Sequence, residues 1–197
     1  MNLRKKINTR VSCLIIFFAL TINFLQAQDY NLSLNESSLK IYGTSSLHDW
    51  EEVAESYSGF ISFKDFGTGE INKLSVEILA ESLKSGKKAM DKNTYKALNT
   101  DKFKKIMFSV TKIKSVTPTG NNTYKVESNG KMTISGQTND ITLSFVMQVN
   151  QSAVKIEGSK TIKMTDFGIE PPKALFGTIT TGDEITIKFS TKFTQPN

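Results

Sequence analysis

Apolar and polar residues alternate along most of this chain. Leu74, Val76 and Ile78 share one parity against Ser75, Glu77 and Leu79. Ile141, Leu143, Phe145, Met147 and Val149 alternate with Thr142, Ser144, Val146 and Gln148. Ile185, Ile187, Phe189 and Phe193 share a third such face, with Thr186, Lys188, Ser190 and Lys192 opposite. A period of two with one apolar face is the pattern of half-buried antiparallel strands. Shorter copies occur at Leu39–Ile41, Phe60–Phe63, Ile106–Val110, Met132–Ile134 and Val154–Ile156. Turn residues separate them: Gly67 and Gly69, Pro118 with Gly120–Asn122, Gly136 to Asn139, Gly158, and Gly182–Asp183. The four prolines are read as lying outside the runs, since proline cannot donate to a strand ladder.

One stretch, Ser85 to Lys104, breaks the rhythm. In it Met90, Tyr95 and Leu98 form a short helical stripe, with Asp91 or Asn93 as the cap. No linker, low-complexity tract or repeat divides the chain. The reading is one all-β antiparallel domain of about eight strands with a short helical insertion. A closed barrel removes exposed edges, but a two-sheet sandwich produces the same periodicity.

Charge changes the picture at the N-terminus. Arg4, Lys5, Lys6 and Arg10 precede an uncharged run from Val11 to Gln28. This is the layout of a secretory signal: a positive region, an apolar region (VSCLIIFFALTINFL) and a cleavage site after Ala27. The apolar region is shorter than the roughly 20 residues a spanning helix needs and is interrupted by Ser12, Thr21 and Asn23. Residues 1–27 are therefore read as a signal peptide and 28–197 as the barrel domain, exported to the periplasm or secreted. Cys13, at the start of the apolar run, is misplaced for lipid attachment.

The net charge of +6 counts 25 basic and 19 acidic residues. Four of the basic and none of the acidic residues lie in 1–27, so the mature chain carries +2. That removes the main support for a nucleic-acid partner. The mature chain also has no cysteine, which excludes thiolate metal sites and cysteine nucleophiles, and its core must hold it without disulfides.

Several segments resemble the YceI-like family of lipid- or polyisoprenoid-binding proteins. They are GTSSLHDW (Gly43 to Trp50), SLKSGKKAMD (Ser82 to Asp91) followed by FKKIMFSVTKI (Phe103 to Ile113), GKMTISGQTNDITLSF (Gly130 to Phe145), and DFGI (Asp166 to Ile169). The resemblance implies a lipocalin-like antiparallel barrel and an activity of binding, not catalysis, with an isoprenoid or other long-chain lipid threading the interior. No cofactor beyond such a lipid is expected. A barrel of this size either fills its interior or holds one small ligand. The inward faces, Val76, Ile78, Phe108, Leu143, Phe145, Met147, Ile185, Ile187 and Phe189, are the candidate ligand-binding lining, and equally candidates for packed core. His48 and Trp50 are candidates for the cavity mouth.

Many family members carry Arg where this chain has Met164 and Met90, and the mature chain contains no arginine. A bidentate clamp on a pyrophosphate therefore has no donor except lysines or backbone N–H groups, and a neutral-headed prenyl or fatty lipid is an equal candidate. Two other classes stay open. An enzyme of the hydrolase type would rest on His48, the only histidine, but strand neighbours 48 and 49 point to opposite faces and make no dyad. One histidine is also too few for a histidine-rich metal site. An envelope interaction module with a filled barrel would use Lys84 to Lys88 and Lys102 to Lys105 for transient contact with anionic membranes.

Overall fold

The computed structural model describes residues 29–196; the proposed signal peptide lies outside them. The described strands are β1 (Asp29–Leu32), β2 (Ser38–Ser45), β3 (Trp50–Ala54), β4 (Tyr57–Asp65), β5 (Glu70–Leu79), β6 (Leu83–Lys84), β7 (Lys105–Gly120), β8 (Thr123–Ile134), β9 (Gln137–Asn150), β10 (Ala153–Lys163), β11 (Lys173–Ala174) and β12 (Ile179–Thr194). One α-helix, α1 (Lys88–Leu98), interrupts them.

Strand order runs β1-β4-β5-β7-β8-β9-β10-β12, and β12 returns to pair with β1. The ring is closed, all neighbours are antiparallel, and it has eight positions. β2, β3 and β6 extend three of those positions past kinks. β2 continues β1 along β12, β3 continues β4 along β2, and β6 continues β5 along β3. Hydrogen bonds bridge the kinks, among them Ser33 N to Lys192 O (2.8 Å), Glu55 N to Ser82 O (3.0 Å) and Leu79 N to Ser56 O (3.0 Å). A barrel, not a sandwich, satisfies the periodicity because closure leaves no edge unpaired.

Local chemistry explains the tight hairpins. Ser135 and Gly136 both have positive φ (49° and 79°), giving the two-residue turn whose twist matches β8 and β9. Asn121 and Asn122 (50° and 54°) do the same between β7 and β8. Two expected turns lie inside strands. Gly158 sits in β10 because the Phe189 ring covers it, and a Cβ there would lie 2.7 Å from Phe189 Cζ. Gly182 and Asp183 sit in β12 at a register shift between Thr181 and Ile185. Pro118 likewise falls within β7, beside a register shift near its end.

The interior has two halves. At one end the core is packed solid. Tyr30 stacks on Phe66 (5.5 Å between centroids), and Phe63 meets both rings edge-on. The β4–β5 turn folds in over this end, its Gly67 carbonyl accepting from Tyr124 Oη at 3.1 Å. The other half gathers Leu39, Ile41, Leu83, Leu98, Ile134 and Ile162 around open space.

Candidate functional site

The open half holds a cavity of about 350 Å³, and a second of about 90 Å³ lies beside it toward the packed end. Leu39, Ile78, Ile106 and Ile187 border both, so the two are neighbouring chambers of one interior. The larger volume lies at the low end of the range for small-molecule sites, roughly 300–1,000 Å³.

Helix α1 covers the larger chamber. Its inward face is Met90, Thr94, Ala97 and Leu98, and all four line the cavity. Of the expected stripe, Met90 and Leu98 are on this face and Tyr95 is not. Tyr95 points away and its hydroxyl hydrogen-bonds the Leu83 carbonyl at 3.1 Å. The expected cap is displaced too: the helix starts at Lys88, after Lys87. Asp91 instead accepts from Ser85 N (2.9 Å) and Ser85 Oγ (2.6 Å), and these bonds hold its carboxyl below the usual carboxylate range. The far end of the helix is tied to the β8–β9 turn by Ser135 Oγ donating to the Leu98 carbonyl, 3.0 Å.

The segment after β10 closes a gap in the wall. Pairing of β9 with β10 ends at Phe145 and Gly158, although both strands continue. Residues Met164 to Ile169 fill the space: Met164, Phe167 and Ile169 are buried and line the cavity. Asn139 Nδ2 donates to the Asp166 carbonyl (2.7 Å) across the gap. Asp183 fixes the other side, accepting from Thr165 N (2.9 Å) and Thr165 Oγ1 (2.6 Å). The DFGI segment is therefore a wall patch, and Gly168 with φ 68° makes its turn.

Trp50 and His48 stand at the mouth. Gly43 pairs directly with Trp50, and the indole lies flat on it: a Cβ at Gly43 would be 2.2 Å from Trp50 Cζ2. Trp50 Nε1 donates to the Thr44 carbonyl at 3.0 Å. That is why the GTSSLHDW segment needs both its glycine and its tryptophan. His48 is exposed on the turn, with Nδ1 2.8 Å from the Asp49 carbonyl, so Nδ1 carries the proton. Ser45 Oγ donates to the His48 backbone carbonyl (2.7 Å), not to its ring. Lys87 and Lys173 complete the rim.

The nine residues expected on the lining are distributed as follows. Ile78, Ile185 and Ile187 border the larger chamber, and Val76, Ile78, Phe108, Leu143, Phe145, Ile187 and Phe189 the smaller. Met147 borders neither. It is fully buried, packed under Gly69 beside Tyr124 in the solid half. The alternation that put it on the inward face was right, but strand parity does not say how far along the axis a residue sits.

Glu52 is the residue the periodicity passed over. On β3 it shares the inward parity of Trp50 and Ala54, is only 3% exposed, and lines the larger chamber opposite Ile41. Among the described residues its hydrogen-bond partner is Thr94 Oγ1 on α1. Burial pushes its pKa up, Asp91 adds to the rise, and the Thr94 bond opposes it. Its run, WEEVAE, is rich in charge, and only the inward parity marks the second glutamate as different from the first, which faces out toward Lys40.

Such an arrangement, a closed antiparallel barrel plugged at one end and hollow under a helix at the other, defines a lipocalin-like β-barrel. The chain belongs to the YceI-like family: the YceI-like domain matches residues 30–193. Among solved structures, Burkholderia cenocepacia BcnA is 20% identical with a TM-score of 0.66, the match covering 82% of this chain and 98% of that one. A polyisoprenoid binding domain from Saccharophagus degradans, implicated in plant cell wall breakdown, is 12% identical with a TM-score of 0.67, over 87% and 100%. The Campylobacter jejuni YceI protein is 20% identical with a TM-score of 0.58, over 73% and 83%. Comparison with the curated proteins gives no match.

Proposed function

We propose that this protein is an exported, non-catalytic carrier that holds a polyisoprenoid or other long-chain lipid in the barrel interior. The observation that carries the reading is the pair of adjoining apolar chambers, with isoleucines on their shared wall and a helix across the top. Tail burial would dominate affinity, since each buried CH₂ contributes about 0.8 kcal/mol before binding costs. The family membership and the likeness to the Saccharophagus degradans polyisoprenoid binding domain support the same ligand class. Export rests on the signal-like residues 1–27.

The filled-barrel alternative is disfavoured by the open half of the core. The hydrolase reading is disfavoured by the ring of His48, which meets a backbone carbonyl rather than a hydroxyl or carboxylate side chain. Contact with anionic membrane surfaces fits the rim, where exposed Leu47 adjoins the cavity beside Lys87 and Lys173. The test is displacement of an apolar fluorescent probe. Long prenyl or acyl lipids should displace it while water-soluble head groups alone do not. Failure of every long-chain lipid to compete would refute the carrier.

A further inference from the structure

The walls of the larger chamber are mostly apolar; the polar exceptions are Glu52, its partner Thr94 and the neighbouring Asn93, with others at the rim. Glu52 is buried, yet Thr94 Oγ1 satisfies only one of its carboxyl oxygens. The residue as a whole lines the chamber. An ionised carboxylate in this setting would need a cation or several donors; among the described residues no ion pair reaches Glu52, and its hydrogen-bond donor is Thr94. Asp91, one turn before Thr94 on α1, bears on it electrostatically, and His48 of the β2–β3 turn and Lys87 and Lys173 of the rim line the same chamber. Across β2 it meets Ile41, while Lys40 points outward to Glu51 and Lys84 on β6 is engaged by Tyr95.

We propose that the Glu52 carboxyl, with Thr94, is the polar recognition point of the cavity and takes an uncharged hydroxyl group, so that the ligand is a long-chain alcohol and not a diphosphate. This deepens, and rests on, the lipid-carrier reading. A neutral carboxyl both donates and accepts, as an alcohol does, so the two satisfy each other inside an apolar wall. An ether can accept but not donate. A diphosphate brought to Glu52 would bury anionic charge beside a carboxyl and Asp91, with no arginine in the mature chain to meet it.

The test measures dissociation constants of farnesol, its methyl ether and farnesyl diphosphate on the wild-type protein and on Glu52→Leu and Glu52→Gln. Wild type should prefer farnesol to the ether by roughly threefold to tenfold. Glu52→Leu should erase that ratio while keeping ether affinity. Glu52→Gln, which still donates and accepts, should keep the ratio and remove the weakening of farnesol binding that wild type shows as pH rises through the Glu52 titration. Equal binding of farnesol and ether to wild type would overturn the proposal and leave the carrier standing. Tighter binding of the diphosphate would place the head group at lysines of the rim or at inward-facing Lys160 of the smaller chamber, and would also overturn it. Binding of none of the three would overturn the proposal, and the carrier with it only if longer prenyl and acyl lipids also fail to displace an apolar probe.

Discussion

Two side chains at the cavity have opposite reasons to matter. His48 is conspicuous in the sequence as the only histidine, but in the structure it is exposed at the mouth with its ring turned to a backbone carbonyl. Its replacement by Ala should leave lipid affinity within about threefold, less than ~1 kcal/mol, by probe displacement. A hundredfold loss would make it a principal contact. Glu52 is inconspicuous in the sequence and buried in the fold. Its folded pKa is raised above the ordinary value of 4.5. The fold therefore binds its proton more tightly than the unfolded chain does. The resulting stability is fully present below the unfolded pKa and is lost as pH rises through the folded one. Glu52→Gln, neutral at every pH, should remove this loss. Thermal unfolding between about pH 4.5 and about pH 8 should show wild type falling relative to the variant. Parallel curves would mean that the Glu52 carboxyl ionises freely in the folded state.

At the scale of elements, the strands were legible because their inward faces alternate with outward polar residues, as in β9 from Ile141 to Val149. The helix was legible as a break in that rhythm. What the pattern could not show is height along the barrel. Phe145 and Met147 share a face of β9, yet one borders a chamber and the other lies in solid core, because depth depends on tilt and register, not parity. Nor could it show the kinks that divide three barrel positions, or that Gly158 lies mid-strand to seat a ring from β12. Ile187 on β12 borders both chambers and is only half-buried, its remaining surface facing the space between them. Ile187→Trp should fill that space. Lipid affinity should fall tenfold or more, about 1.4 kcal/mol, while the melting temperature of the lipid-free protein stays level or rises. A solid interior would instead be overpacked, with about 1–3 kcal/mol of stability lost and no selective effect on binding.

The whole molecule is a barrel with a division of labour along its axis. The end filled by Tyr30, Phe63, Phe66, Tyr124 and Met147 supplies the packed core that residues 29–196, which contain no cysteine, need. The other end forgoes that packing and leaves open, mostly apolar space between its walls. Bound lipid should accordingly stabilise the fold by mass action, most at saturating ligand. The most direct measurement is native mass spectrometry of the protein purified from its own host without detergent, with extraction and identification of whatever is bound. The expected result is a mass excess matching one long-chain lipid per chain, lost in Ile187→Trp. A chain carrying no lipid, which also fails to take one up when long prenyl and acyl lipids are supplied, would contradict the carrier.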